Sequence, residues 1–152
     1  MEVRTGADVT PELWDLFYAF YTGNIQRHGG MIHLTREFFQ MLGRSLPEAL
    51  VLVLARRGTE IVGAAINLRD QNALYGRYWG GREGFNSLHF EACYYTPIEY
   101  CIAQGLSRFE GGAGGEHKLA RGFLPVTTHS LHWLRHPQFA RAVADFLERE
   151  RN

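Results

Sequence analysis

The sequence has no excess of charge of either sign, since 16 lysine and arginine residues are balanced by 16 aspartate and glutamate residues. A general binder of nucleic acid or of anionic membranes carries a basic excess, so the composition argues against both classes, double-stranded nucleic acid included. A local basic patch is still compatible with this composition. Long apolar runs are also lacking: residues 49–55 form the longest aliphatic run, far below the roughly 20 residues of a membrane span. We therefore expect no membrane span.

Cysteine is scarce as well. The two cysteines, Cys93 and Cys101, would lie about 12 Å apart along a continuous helix, which is too far for a disulfide bond. No apolar leader-like segment follows Met1, so a cytoplasmic location is the simplest expectation. A zinc-type cysteine cluster is missing, and a spacing of three places His129 and His132 on opposite faces of a strand. We expect no metal site.

The chain has 152 residues, 45% of them hydrophobic, enough for one domain with a proper core and too few for two ordinary ones. Thr10 and Thr35 are candidate N-caps of two helices, and Pro47 marks the end of the second. Three strands separated by short turns follow and indicate an antiparallel meander, at residues 49–56, 61–69 and 74–80.

A second helical region begins after Ser87 and is interrupted by Pro97, so it forms either two helices or one kinked helix. The remaining pattern predicts a strand at residues 107–110 and a short helix just after the glycines. A second strand at 126–134 and a last helix from residue 137 onward follow. The order requires a parallel crossover into the strand at 107–110. We predict an α+β fold with a mixed, mostly antiparallel central sheet and helices on both faces.

The densest chemistry lies in residues 110–125, which contain five glycines, and four of these directly precede a group of charged residues. The glycine spacings fit neither a phosphate-binding P-loop nor a dinucleotide fingerprint. A tight connection with a solvated helix would explain the segment without a ligand. Charged groups at the end of a strand favour a ligand site instead, with Glu116 or His117 as general base and Lys118 and Arg121 as anion binders.

The helical region after Ser87 carries a second group of candidates. His89 and Glu91 open it, and either is a possible partner of the base, while Tyr94 or Tyr95 is a possible proton donor. A solvated helix face is the simpler explanation of Glu91 and Tyr95, because acidic residues near a helix N-terminus are favourable without any function. Cys93 lies among apolar neighbours and is expected to be an inert, buried thiol.

Two strand-like segments complete the candidate set. Arg77 and Trp79 lie in a segment that otherwise looks interior, and a buried arginine needs a partner, either a glutamate or a substrate anion. Residues 126–134 place Ser130 and His132 on one face, which is unusual for a core strand. We predict substrate-binding roles for these four residues.

Four segments of the chain are distinctive: GRYWG at residues 76–80, LHFEACYY at 88–95, GGEHKLARGFLP at 114–125 and SLHW at 130–133. Together they closely resemble a bacterial family described as FemAB-like, or peptidoglycan-biosynthesis-like, within the GNAT acyltransferase superfamily. The resemblance covers nearly the whole chain. It implies a GNAT domain in which the strand at 74–80 and the helix after Ser87 flank the acyl-donor cleft.

The resemblance also implies a function. Family proteins are about twice this long and carry two such domains, so residues 1–152 resemble the C-terminal one and an N-terminal companion domain is expected. The implied reaction is N-acyl transfer, by direct attack of an amine on an activated acyl group, onto a small molecule or a cell-wall-related peptide. Residues 82–86 carry the acetyl-CoA signature only in part, so the donor is either acyl-CoA or aminoacyl-tRNA. The alternative is a non-catalytic module that binds a peptide or glycan or packs on its partner domain.

Overall fold

The computed structural model describes residues 1–113 and 115–151. The chain divides into two compact units, Met1–Lys118 and Leu119–Asn152. The first unit contains a five-stranded sheet in chain order, with strands β1 (Glu2–Thr5), β2 (Leu50–Arg57), β3 (Glu60–Arg69), β4 (Ala73–Gly81) and β5 (Arg108–Glu110). All neighbours are antiparallel except β4 and β5, which are parallel. The predicted mixed, mostly antiparallel sheet is confirmed.

Helices α1 (Pro11–Arg27) and α2 (Arg36–Ser45) begin where their caps predict. The Thr10 hydroxyl accepts a hydrogen bond from the Leu13 amide at 3.4 Å, and the Thr35 hydroxyl accepts one from the Phe38 amide at 3.3 Å. These bonds satisfy amide groups that would otherwise lack a partner in the first helical turn. The aromatic side chains of both helices pack on alternate residues of β2 and β3 in the largest core cluster: Trp14, Phe17, Phe20, Tyr21, Phe39, Leu50, Leu52, Leu54, Ala64 and Ile66.

The other face of the sheet is covered by the helix that follows β4. Val53 and Ala65 pack against Ala92, and Val51 packs with Leu74 and Cys101. Strand β2 is therefore buried on both faces, as its continuous apolar sequence predicts, and the prediction of helices on both faces is confirmed.

This covering helix, which we call the central helix, has three consecutive segments: α3 (Leu88–Phe90), a π-helical turn (Glu91–Tyr95) and α4 (Thr96–Gln104). The Thr96 amide donates to the Glu91 carbonyl, five residues back. The wider turn directly precedes Pro97, whose ring would clash with the carbonyl one α-helical turn back. Of the two alternatives, the structure contains one interrupted helix.

Two segments of the chain differ from what the sequence pattern predicted. Strand β1 was not predicted, because it is short and mostly polar, and only its pairing with β2 makes it a strand. The strand predicted at residues 126–134 is wrong, because within the described part of the chain this segment has no strand pairing. Branched and hydroxyl side chains favour extended backbone, but a strand needs a partner. The last helix, α5 (Pro137–Arg151), is confirmed in the second unit.

Candidate functional site

A cleft forms in the first unit where the parallel strands β4 and β5 separate. The two strands pair from Ala73 and Arg108 only as far as Tyr75 and Glu110. Beyond that point β4 continues to Gly81 while the other chain turns into the glycine-rich segment. Among the described residues, the second half of β4 therefore has no strand partner on the side that faces away from β3. Backbone N–H and C=O groups along such an edge are available to a ligand.

Strand β4 also contains a β-bulge at this point. Ile66 of β3 pairs with Tyr78, while the next residue, Asn67, pairs with Gly76, so that Arg77 is the extra residue. A bulge disrupts the ladder locally and leaves the extra residue unpaired. The backbone of Arg77 therefore lies at the edge of the cleft without its regular ladder partner.

The cleft has a volume of about 100 Å³ and is lined by both strands of the bulge, by Gly111 and by the central helix. It is far smaller than the 300–1,000 Å³ typical of pockets for drug-sized ligands, so it can enclose only a short chemical group. Gly76 lines it, and a Cβ there would contact Asn67 Oδ1 at 3.7 Å and the Glu110 carbonyl at 3.5 Å. The absence of that side chain enlarges the cleft.

Asn67 is a polar lining residue that the sequence reasoning missed. Only 1% of its surface is exposed, and its Nδ2 donates to the Val51 carbonyl at 3.4 Å. Its Oδ1 accepts no hydrogen bond from any residue in the described part of the chain. Asn67 lines the cleft, so a ligand or a water there can supply the donor for this oxygen. The signal was one asparagine within an otherwise apolar strand.

The central helix places His89, Cys93 and Tyr94 on the cleft. The Tyr94 hydroxyl lies 3.0 Å from Nε2 of His117 and is hydrogen-bonded to it. The His89 ring packs edge-on against Tyr94 and against Trp79, with centroid distances of 5.4 and 5.7 Å, and lies 6.2 Å from the His117 ring. The structure thus brings together three residues predicted from separate segments, namely His89, Trp79 and His117.

The indole of Trp79 is held by two glycines. A Cβ at Gly63 would lie 2.9 Å from the Trp79 ring, and one at Gly81 would lie 3.0 Å from it. No side chain larger than hydrogen fits there without displacing the ring. These two glycines, one in β3 and one in β4, therefore leave the space that the indole occupies beside the cleft.

The other predicted residues of the first unit are outside this cluster. Tyr95 is 44% exposed and Glu91 is exposed, with a long 3.5 Å contact from the Thr96 hydroxyl. Glu116 is exposed too. Lys118 donates from Nζ to the carbonyls of Gly112 and Ala113, at 2.8 and 3.2 Å, and thereby tethers the glycine-rich segment; Gly114 lies outside the described residues.

Arg77 differs from its sequence-based description. The sequence placed it in a strand interior, whereas its side chain is exposed and its guanidinium lies 5.8 Å from the centre of the Tyr75 ring. The neighbouring Glu110 pairs with Arg108 at 3.1 Å. An arginine at a bulge is not forced into either face of the sheet, which explains how a charged residue fits between apolar neighbours.

Three predicted residues, Arg121, Ser130 and His132, lie in the second unit. There the short 3₁₀ helix Glu116–Arg121 ends, and His132 Nε2 lies 2.9 Å from the Ser130 hydroxyl. The two side chains therefore contact each other, although the strand on which they were predicted to share a face is not present in the described part of the chain.

Cys93 is on the cleft but is not a nucleophile at neutral pH. Burial disfavours the thiolate and raises the pKa of the Cys93 thiol to about 12,. Burial also raises the pKa of Cys101, with a smaller opposing effect of Arg69. Both cysteines are free.

The loop between β4 and the central helix is where the sequence placed a partial donor signature. Gly84 and Ser87 have left-handed backbone, with φ of 85° and 63°, a conformation that can turn amide groups outward. The loop cation Arg82 pairs with Glu60 at 2.6 Å, and Glu83 pairs with Arg27 at 3.6 Å. The backbone amides of this loop are therefore suited to bind an anion, whereas its arginine side chain is already paired with a glutamate.

The described residues contain no group of three or more histidine, cysteine or acidic residues arranged to hold a metal ion. Within the same residues, every helix is too short or too polar to cross a membrane.

Comparison with known proteins identifies related sequences and folds. A family model described as FemAB-like, peptidoglycan biosynthesis/recognition, matches residues 1–152. A search of curated proteins finds no significant match. Several solved structures share the fold at low sequence identity.

One similar structure is a possible acetyltransferase from Clostridium difficile 630, with 8% identity over 88% of this chain and 96% of that one and a TM-score of 0.62. The aminoglycoside N-acetyltransferase AAC(6')-Iy in complex with CoA has 8% identity over 89% and 95% of the two chains and a TM-score of 0.58. A GNAT-family acetyltransferase from Streptococcus pneumoniae TIGR4 has 13% identity over 89% and 98%, with a TM-score of 0.51. The expected GNAT-like fold is confirmed.

Proposed function

The chain belongs to the FemAB-like family, and from this premise and the geometry of the cleft we propose that it transfers an acyl group to an amine. The observation that carries the proposal is the juxtaposition of a bulged, partly unpaired strand with the hydrogen-bonded pair Tyr94 and His117. Acyl transfer needs a group that stabilises the carbonyl oxygen and a group that moves a proton, and the cleft offers both.

The bulge supplies the first requirement. The backbone amide of Arg77 lies beside the cleft without its regular ladder partner,. When an amine attacks a carbonyl carbon, negative charge develops on the carbonyl oxygen, and a positioned backbone N–H stabilises it. We assign the acyl carbonyl to this edge of β4, with the acyl chain directed toward Asn67 in the small cleft.

Tyr94 and His117 supply the second requirement. The amine nitrogen forms a bond to the carbonyl carbon, the bond to the donor's leaving sulfur or oxygen breaks, and one proton must pass from the amine to that leaving atom. His117 accepts the amine proton and Tyr94 gives its hydroxyl proton to the leaving group. The imidazolium then returns a proton to the tyrosinate across the 3.0 Å hydrogen bond. Both side chains end as they began.

The donor in this proposal is an acyl thioester such as acyl-CoA, or an aminoacyl-tRNA ester. The similarity to an acetyltransferase in complex with CoA favours the thioester. The loop of Gly84 and Ser87 offers left-handed backbone for a phosphate, although its cation Arg82 is already paired with Glu60. Arg77 is the nearest exposed cation on the cleft, and it would bind a donor phosphate or an acceptor carboxylate.

The acceptor in this proposal is an amine of a cell-wall-related peptide, in line with the family's description. Lys118, Arg121, Ser130 and His132 remain predicted substrate-binding residues, and Glu91 and Glu116 remain predicted auxiliary groups. In this proposal Tyr94, and not Tyr95, is the proton donor. We further propose that residues 1–152 act beside an N-terminal companion domain in a longer protein and that the reaction takes place in the cytoplasm, where we expect the chain.

The test is a transfer assay on the purified chain with two donor classes, acetyl-CoA and an aminoacyl-tRNA mixture. The acceptors are lysine- and diaminopimelate-containing muropeptides, and mass spectrometry detects the acylated product. Tyr94→Phe and His117→Gln should each lower the rate by roughly 100-fold or more, the usual contribution of general acid–base catalysis. Tyr95→Phe is the matched control, because it removes an exposed phenol from the next position.

Two results would contradict the proposal. Turnover that Tyr94→Phe and His117→Gln leave unchanged would remove the assigned proton path. Muropeptide binding without product from either donor class would favour the alternative, a non-catalytic binding module.

A further inference from the structure

A second concave site lies between helices α1 and α2, on the layer opposite the central helix. It is a groove of about 420 Å³ formed by the 3₁₀ turn Gly6–Asp8, the N-terminal end of α1 and the C-terminal end of α2. This volume lies within the range of pockets that bind small organic molecules. It is several times larger than the cleft on β4 and shares no lining residue with it.

The walls of the groove are mainly apolar. Ala7, Val9, Pro11 and Pro47 line it together with the ring of Trp14. Gly43 is required for this wall, because a Cβ there would lie 2.6 Å from the Trp14 ring, too close for any side chain without a shift of the ring. The ring is also held by edge-on and stacked contacts to Phe17 and Phe39. The groove is therefore preformed.

Three polar groups converge on this apolar groove, and two of them donate hydrogen bonds only. Trp14 lines the groove, and its indole N–H donates to no residue in the described part of the chain. Arg44 and Gln40 also line the groove and make no side-chain hydrogen bond or ion pair with another described residue. The indole N–H and the Arg44 guanidinium are therefore both available to an acceptor that a ligand brings into the groove.

The charge of the groove favours an anion. Arg44 is the one charged residue among its lining residues. Three carboxylates that adjoin lining residues in the sequence have partners of their own. Asp8 accepts from the Thr5 hydroxyl at 2.8 Å, and Asp15 pairs with Arg36. Hydrogen bonds from Thr10 and from its own backbone lower the pKa of Glu12. An arginine and an indole N–H together suit a carboxylate, which accepts several hydrogen bonds.

We propose that this groove binds an organic carboxylate with an apolar aliphatic or aryl body, with the carboxylate held by Arg44 and the Trp14 indole N–H. The apolar body lies on Ala7, Val9 and the two prolines, and the Gln40 amide is available to the second carboxylate oxygen. The site is independent of the acyl-transfer proposal, because none of its residues takes part in that reaction.

The experiment is an NMR titration of the full chain with 4-phenylbutyrate, compared with the neutral 4-phenylbutanol and the cationic 4-phenylbutylamine. The chain has three tryptophans, so the three indole N–H signals can be assigned with Trp79→Phe and Trp133→Phe. We expect the Trp14 indole signal to shift saturably with the carboxylate, and the other two to stay in place. The alcohol should bind about tenfold more weakly and the amine more weakly still.

Substitution of the cation tests the charge assignment. Arg44→Gln should weaken carboxylate binding about tenfold, which corresponds to about 1.4 kcal/mol, and leave the affinity for the alcohol unchanged. Arg44→Lys should restore part of it. Arg57→Gln, which removes an exposed arginine of β2 away from the groove, is the matched control. Equal binding of the three probes, an unmoved Trp14 signal or full affinity in Arg44→Gln would each overturn the proposal.

Discussion

The contact between α1 and β4 can be tested by adding one methyl group to Gly80. A Cβ there would lie 2.8 Å from the Tyr21 amide nitrogen and closer still to the carbonyl carbon and oxygen of Phe20. These are main-chain atoms within a helix, so no change of side-chain rotamer relieves the clash. The helix must instead move away from the sheet, which disrupts the packing of Phe17 and Tyr21 in the main core.

The size of the effect follows from the rigidity of these atoms. Overpacking a core costs about 1–3 kcal/mol when side chains can adjust, and backbone contact places Gly80→Ala at the upper end, about 3 kcal/mol. For a chain of this size, that lowers the melting temperature by about 6–12 °C. Urea unfolding followed by fluorescence in a Trp133→Phe background, where Trp14 and Trp79 of the first unit report, measures the free energy by linear extrapolation.

The matched control is Gly76→Ala in the same strand. Its Cβ would meet no atom closer than 3.5 Å, and the loss of unfolded-state freedom favours alanine by up to about 1 kcal/mol. We expect Gly76→Ala to stay within about 1 kcal/mol of the wild type, although its methyl group narrows the cleft and should reduce transfer of larger acyl groups. Equal stability of the two variants would show that α1 does not approach β4 as closely as the structure describes.

Two further predictions concern titrating groups. Because burial raises the pKa of Cys93 to about 12, little thiolate is present at pH 8, and iodoacetamide should alkylate Cys93 far more slowly in the native protein than after urea unfolding. Mass spectrometry of native and urea-treated protein checks this, and equal labelling rates would contradict the raised pKa. Hydrogen bonds from Arg56 and Arg4 lower the pKa of Glu2. The resulting stabilisation is complete above the unfolded-state pKa, near 4.5, and is lost as the pH falls through the lower folded-state value. Over that acidic interval, Glu2→Gln should therefore lose less unfolding free energy than the wild type, because only the other carboxylates still titrate. Parallel wild-type and variant curves would exclude the role of Glu2.

Most of the secondary structure was predictable because its signals are local. Thr10 and Thr35 cap helices where their sequence context indicates, and the strand-like segments between short turns located β2, β3 and β4 within one or two residues. The strand predicted at residues 126–134 was wrong because side chains that favour extended backbone do not by themselves provide a neighbouring strand to pair with. Strand β1 was overlooked for the converse reason, since its partner is 50 residues away in the sequence.

The sequence predicted the type of candidate site but not all of the residues that form it. The sequence pointed to His89 and His117 on different segments, and the structure places their rings 6.2 Å apart. It did not single out Asn67, because one asparagine in an apolar strand becomes notable only when its burial and the bulge opposite it are known. Nor could spacing choose between Tyr94 and Tyr95, because the π-helical turn sets which phenol meets His117.

The sequence by itself determined the helices, the meander of three strands, the balanced charge and the resemblance to a family, since each depends on short-range pattern or composition. Only the tertiary structure decided where β4 and β5 separate, which residue is extra in the bulge, and which side chains face the opening. Those features depend on contacts between residues far apart in the chain, whose geometry no local pattern encodes. The groove beside Trp14 is of the same kind, because it exists only when α1, α2 and the turn before them are packed together.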